Sequence, residues 1–199
     1  MKLIDLFESD HQLLLELFDK PYPWKVSKYH PNVYFFDAVY TGKNGIPTVN
    51  HIGIIFEESV AGMLKLDKPL HEFEYLPSQS IAFGVLTIDP ADISASTDIG
   101  DYLRFAPMND SRGNYRVFST IEKICESHFK AHPTDIIKFS GDGHSRIKLY
   151  NKLAKKMAER LNMVAYVEHH TGIESSDYMI INKDLLVNYR PAKIEYVRL

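Results

Sequence analysis

The stretch FSGDGHSRIKLYNKLAKKMAERL, residues 139–161, decides the fold. A short apolar run reaches Phe139, and then Gly141 and Gly143 interrupt it. Beyond this break, apolar residues recur every three or four positions, which is the period of an amphipathic helix. The stretch therefore predicts a strand that ends in a tight loop and leads into a helix over residues 145–161.

Strand and helix patterns alternate on both sides of this stretch. Residues 115–129 have the helical period, and the first half of the chain is rich in β-branched and aromatic runs. This order predicts an α/β (α+β) fold, with a mixed, mostly antiparallel central sheet flanked by helices. Strands are predicted at residues 32–41, 48–58, 80–89, 136–140, 163–170, 177–183 and 194–199.

The N-terminus has a helical pattern of its own. Leucines and phenylalanines recur at helical spacing over residues 2–19, and Pro21 and Pro23 cannot continue a helix. With 199 residues, the chain has the length of one domain. We therefore predict a single α/β domain with an N-terminal helical appendage, residues 1–28, on a core of residues 29–199.

The composition excludes several classes of protein. The formal net charge is -3, so the whole molecule has no general attraction for nucleic acid or an anionic membrane. The single cysteine cannot form an intrachain disulfide, which favours a reducing compartment. No apolar run approaches the roughly 20 residues that span a bilayer. We expect a cytoplasmic protein that does not associate with membranes.

The helix predicted over residues 145–161 is basic. Lys148, Lys152, Lys155 and Lys156 fall on one helical stripe. A solvated outer face, whose long side chains cover apolar surface, accounts for this pattern most simply. The alternatives are contact with phosphate groups or with an acidic partner. Nucleic-acid binding is not expected.

The segment MNDSRGN, residues 108–114, is predicted as a loop ahead of the first helix and is a second candidate for phosphate binding. Helix N-termini present N–H groups and a positive dipole end, which attract anions. Arg112 and Arg116 add positive charge, and Gly113 lets a ligand approach the backbone. The alternative is a plain helix cap, formed by Asn109, Asp110 and Ser111.

Two sets of residues have the spacing of metal or proton-transfer sites. Cys125, His128 and His132 are spaced as zinc ligands, but a core cysteine with a histidine at a helix end explains them better. We therefore expect no metal. On the predicted strand 163–170, Glu168 and His170 share a face, which suits a base with an orienting partner. The alternative is a polar strand end.

Two helices around a strand, with HSRIKLYNKLAKK in the second helix, resemble the Gcn5-related N-acetyltransferase (GNAT) fold. Leu149-Tyr150, Lys152 and Leu153 match that family's second-helix pattern, and the Gly-Phe that follows it there is missing. The resemblance covers roughly the last 100 residues and implies acetyl-CoA as cofactor, with Tyr150 near the leaving thiol. It places the pyrophosphate at the loop before the first helix, on Ser111, Arg112, Gly113, Asn114 and Arg116, although the family's glycine spacing is absent.

The chain also resembles small uncharacterised proteins of tailed bacteriophages. The segments VFSTIEKICESHF, DIIKFSG and SRIKLYNKL follow in the order and with gaps similar to those of that group. This likeness brings no known activity. It implies expression in a bacterial host's cytoplasm or packaging in a virion.

Two hypotheses on function follow from these resemblances. In the first, the chain transfers an acyl group from acyl-CoA to an amine, with Glu168 or His170 as base and Tyr150 as acid. In the second, the same fold is a non-catalytic phage protein that binds a host factor or a defence protein, or belongs to the virion. Its surface would be the basic helix and the aromatic residues Tyr22, Trp24 and Tyr29. Either form is compatible with a homodimer.

Overall fold

The computed structural model describes residues 20–41, 46–60, 77–104, 111–142, 144–170, 175–187 and 197–199. Within these ranges the chain forms nine strands and two α-helices. The mixed α+β class expected from the sequence is confirmed. The predicted N-terminal helix over residues 2–19 lies outside the described ranges.

The elements follow one another in a β-rich first half and an alternating second half. The helices are α1, Ser111–Ala131, and α2, His144–Arg160. Short 3-10 turns span Pro90–Asp92, Ile99–Tyr102 and Leu185–Val187. The strands are β1 Trp24–Val26, β2 Val33–Thr41, β3 Pro47–Val60, β4 Pro77–Leu86, β5 Leu103–Arg104, β6 Ile136–Asp142, β7 Met163–His169, β8 Ser175–Asn182 and β9 Val197–Arg198.

The sheet is mixed and mostly antiparallel, as expected. Its strand order is β1-β2-β3-β4-β6-β8-β7-β9, and β5 pairs with β4 outside this path. The pairing of β4 with β6 is parallel. Parallel neighbours need a long crossover, and α1 lies between these two strands in sequence. No helix within the described ranges is long and apolar enough to cross a membrane.

The described residues form two compact units. The first unit comprises those of Met1–Ile54 and Phe83–Ile124, and the second those of Ile55–Ala82 and Cys125–Leu199. The predicted division into an appendage, 1–28, and a core, 29–199, stays a prediction.

In the first unit, Tyr22 anchors the segment before β1. Its ring stacks on Phe36, with centroids 5.7 Å apart, and its backbone N–H donates to Thr120 Oγ1 at 2.9 Å. The Arg116 guanidinium lies 3.8 Å from the centre of the same ring, and its Nε donates to the Lys20 carbonyl at 2.8 Å. A cation over an aromatic face is an attractive contact. Tyr22 is therefore 6% exposed and packs as core, so its predicted place on an exposed binding surface is wrong.

In the second unit, α2 packs on one face of the strands β6, β8 and β7. Phe139 and Tyr178 stack on this helix face, with centroids 4.7 Å apart, and Tyr178 Oη donates to Asn151 Oδ1 at 2.8 Å. Burial raises the pKa of Tyr178 to about 12. On the opposite face, Ile136, Met179 and Ile181 form a small apolar cluster. The alternation of side chains along each strand separates the two faces.

The structure corrects two predicted boundaries. Helix α1 begins at Ser111, so the loop expected up to residue 114 is wrong for residues 111–114. A glycine in a helix costs only about 1 kcal/mol relative to alanine, so Gly113 does not end the helix. The strand predicted over residues 80–89 ends at Leu86, and Asp89 caps the turn at Pro90 by accepting the Ala91 N–H.

Candidate functional site

A row of polar residues crosses three strands of the second unit. In the pairing register, Asp177 of β8 lies opposite Ser140 of β6 on one side and Glu168 of β7 on the other. Directly opposite residues point to the same face of a sheet. His170 follows directly after β7. We call Ser140, Glu168, His170 and Asp177 the polar cluster.

Asp177 is the centre of the polar cluster. The Ser140 hydroxyl donates to its Oδ1 at 2.5 Å, and His170 Nε2 lies 2.8 Å from its Oδ2. Both carboxylate oxygens of Asp177 are therefore engaged, and His170 is oriented by a charged partner. The side chains of His170 and Asp177 are 33% and 44% exposed, so a ligand from solvent can reach them.

The electrostatics of the polar cluster depend on a nearby positive charge. Two carboxylates directly opposite on neighbouring strands repel each other. Lys138 lies two residues before Ser140 and so points to the same face. Burial lowers the pKa of Lys138.

Three members of the polar cluster have the atoms of a metal site. One ligand atom from each of Glu168, His170 and Asp177 lies within 4.8 Å of the others, and the described chain has no second set of this kind. One imidazole with two carboxylates is a donor set that suits Zn²⁺ or Mn²⁺.

The predicted zinc spacing in α1 forms core instead. Cys125 is completely buried, and the His128 ring stacks on Phe56 with centroids 3.7 Å apart. His128 Nε2 lies 3.0 Å from Gln79 Oε1, so it acts as the hydrogen-bond donor. Burial, with the nearby His132, lowers the pKa of His128 to about 4. His128 is therefore a neutral histidine of the core, held by the side-chain amide of Gln79.

Tyr150 of α2 lies on the face of β6, β8 and β7 that α2 covers. Its ring centroid is 6.4 Å from that of Phe139, and the side chain is 2% exposed. Asp177 immediately precedes Tyr178, which points to the helix face, so Asp177 points to the opposite face. The structure therefore brings Glu168 and His170 together and places Tyr150 across the sheet from them.

On the side of β6 that faces β4, part of the backbone edge has no strand partner among the described residues. The parallel pairing covers three pairs, from Ser78 with Ile136 to Ser80 with Lys138. Residues 139–142 of β6 continue beyond the last pair, and among the described residues they pair with β8 alone. Such an edge presents N–H and C=O groups that an extended ligand can bind.

The residues predicted to bind the pyrophosphate begin α1. Ser111, Arg112, Gly113 and Asn114 form its first turn, where the backbone N–H groups lack partners within the helix. Arg116 lies one turn further and contacts Lys20 and Tyr22, as described above. The phosphate-binding role of these five residues stays a prediction.

Sequence reasoning missed Asp177 and the part played by Ser140. Both residues lie in segments that were predicted as strands, but their meeting depends on how β6, β8 and β7 pair. No sequence spacing encodes this register, because residues 140 and 177 belong to separate strands. The sequence signal that could have found Ser140 and Asp177 is a polar side chain at alternating positions of a predicted strand.

Comparison of the chain with protein-family models and with curated proteins finds no match.

Proposed function

We propose that the protein transfers an acyl group from acyl-CoA to an amine, on an acetyltransferase-like arrangement of strands and helices. One observation carries the proposal. The β6 edge at residues 139–142 lies between Tyr150 on the helix face and the polar cluster on the opposite face. A thioester placed along this edge would have an acid on one side and a base on the other.

The β6 edge at residues 139–142 suits the pantetheine arm of CoA. The pantetheine arm of CoA carries two amide groups and is extended, so it can pair with backbone groups as an added strand does. The four residues of β6 past Lys138 offer this kind of pairing over roughly 13 Å. The order of strands and helices in the second unit, β6-α2-β7-β8, supports the likeness to acetyltransferases.

The proposed reaction is a direct transfer. The amine nitrogen attacks the thioester carbonyl carbon, a C–N bond forms, and the C–S bond breaks. Glu168 or His170 accepts the proton that the nitrogen loses. Tyr150 gives its hydroxyl proton to the departing thiolate, which leaves as the free thiol. Asp177 orients His170 through the contact at 2.8 Å.

The activity is tested by measuring free CoA thiol released from acetyl-CoA with a panel of primary amines. Replacing Glu168 with Gln removes a candidate base, and Tyr150→Phe removes the acid while keeping the ring. We expect each change to lower kcat about 10²- to 10⁴-fold, the usual contribution of a proton-transfer group. Asp184→Asn, at an exposed position outside the polar cluster, is the matched control. Unchanged kcat in both variants would overturn the assigned roles.

The second candidate is a non-catalytic binding protein. The outer face of α2 favours it, because Lys148, Lys152 and Lys155 are all exposed there. Such a stripe fits an acidic protein partner, whose binding weakens with salt. The thiol-release experiment separates the two candidates, since a binding protein releases no thiol with any amine.

A further inference from the structure

The first unit contains a cavity that the acyl-transfer proposal does not use. Its volume is about 530 Å³, which lies in the range of small-molecule sites. It opens beside the strands β1, β2 and β3 and the turn at residues 89–91. Its lining includes Trp24, Lys25, Phe35, Asp37, His51 and Asp89.

A histidine–aspartate pair lies in the wall of this cavity. His51 Nδ1 is 2.7 Å from Asp37 Oδ1. When the imidazole is neutral, this contact places its hydrogen on Nδ1, because a carboxylate oxygen only accepts. Nε2 is then an acceptor, and a ligand with an N–H group can donate to it. The side chains are 34% and 65% exposed, so solvent reaches both.

The other lining groups favour a ligand with a positive charge and an aromatic or aliphatic body. The carboxylates of Asp37 and Asp89 outnumber the one ammonium, that of Lys25. Trp24 and Phe35 supply apolar surface, and aromatic rings attract organic cations. Few polar groups within a mostly apolar lining are typical of small-molecule sites.

We propose that this cavity binds a small organic amine in its ammonium form. The ammonium group donates to the carboxylate of Asp37, and the organic body packs on Phe35, which lies on the same face of β2 as Asp37. The proposal rests on the first unit alone and needs no acyl transfer.

The chain provides its own reporter for this site. Trp24 is the only tryptophan in the sequence and lines the cavity, so its fluorescence responds to an occupant. The probe is 2-phenylethylamine, a cation at neutral pH. Phenylacetate and 2-phenylethanol have the same ring and nearly the same length, with a negative charge and no charge respectively. Titration of the three compounds isolates the contribution of the charge.

We expect the amine to change Trp24 emission with a Kd at least about tenfold below that of either analogue, which corresponds to one good charge-assisted contact. Asp37→Asn keeps the shape and removes the charge, so it should raise the Kd of the amine about tenfold. The control is Asp92→Asn. Asp92 is exposed, belongs to the 3-10 turn Pro90–Asp92 and does not line the cavity, so this change should leave the Kd of the amine unchanged.

Three results would overturn the proposal: no change in emission up to about 10 mM amine, equal binding of the alcohol or the acid, or an unchanged Kd in Asp37→Asn. The comparison of the three compounds uses the natural chain, so it decides the question even when Asp37→Asn fails to fold. Thiol release from acetyl-CoA is measured separately and tests the acyl-transfer proposal by itself.

Discussion

At the scale of single residues, Gly141 fixes how closely α2 approaches β6. A Cβ atom built on this glycine would lie 2.3 Å from Cδ2 of Tyr150, far inside van der Waals contact. The ring of Tyr150 therefore rests directly on the backbone of the β6 edge. This contact holds the predicted acid beside the position proposed for the thioester.

Replacing Gly141 with Ala should lower the free energy of unfolding by about 1 to 3 kcal/mol, because the added methyl group overpacks a buried ring. Urea unfolding measures the change. Gly100→Ala is the control, since its Cβ would come no closer than 3.3 Å to an exposed aspartate side chain. Equal stability of Gly141→Ala and the natural chain would show that Tyr150 does not rest on this glycine.

His128 makes the stability depend on pH. Burial lowers its pKa to about 4 in the folded chain, against about 6.5 when unfolded. The unfolded chain therefore takes up this proton first as the pH falls. The contribution to stability is complete above pH 6.5 and is lost between about pH 6.5 and 4.

The free energy of unfolding should fall by about 2 kcal/mol between pH 7.5 and pH 5 on account of His128. Urea unfolding at both pH values gives the difference. His128→Phe keeps a ring against Phe56 but cannot titrate, so its stability should change less over this interval. The same change in the variant and in the natural chain would assign the acid sensitivity to other groups.

At the scale of elements, the C-terminus of α2 has a specific stop signal. Asn162 has a φ of 55°, in the left-handed region, and its N–H donates to the Glu159 carbonyl at 3.3 Å. Asparagine and glycine tolerate this conformation, which ends many helices. The turn leads directly into β7, and so positions the strand that carries Glu168.

Asn162→Gly should be more stable than Asn162→Ala by about 1 kcal/mol, because alanine is strained at positive φ. Both variants lose the side-chain contact with Lys183 Nζ at 2.6 Å, so the comparison isolates the backbone effect. Thermal unfolding of the two variants measures this difference in stability. A more stable alanine variant would mean that the helix ends without a left-handed residue.

The elements themselves were largely predictable, and their pairing was not. The period of α2 and the apolar runs of β6, β7 and β8 are local patterns, so the sequence predicted them within a few residues. The beginning of α1 was missed because Gly113 and its polar neighbours suggested a loop. The polar cluster was half predicted: Glu168 and His170 are close in sequence at the end of β7, whereas Ser140 and Asp177 join them through strand register.

At the scale of the whole molecule, the net charge is -3, whereas the proposed cofactor, acetyl-CoA, is highly anionic. General electrostatic attraction does not favour this binding, so local contacts must provide it. We propose that the β6 edge contacts the pantetheine arm. The sequence predicts that residues 111–116 contact the pyrophosphate. The two assignments can be tested separately, because S-acetylpantetheine contains the arm without the nucleotide.

The most direct test of the central claim is calorimetric titration of the natural chain with acetyl-CoA and with S-acetylpantetheine. We predict a Kd in the micromolar range for acetyl-CoA and a weaker, measurable affinity for S-acetylpantetheine. Arg112→Ala should weaken the binding of acetyl-CoA alone, and Arg104→Ala, at an exposed position, should weaken neither. The absence of heat with both compounds at about 1 mM would contradict the account, because an acyltransferase must bind its acyl donor at such concentrations.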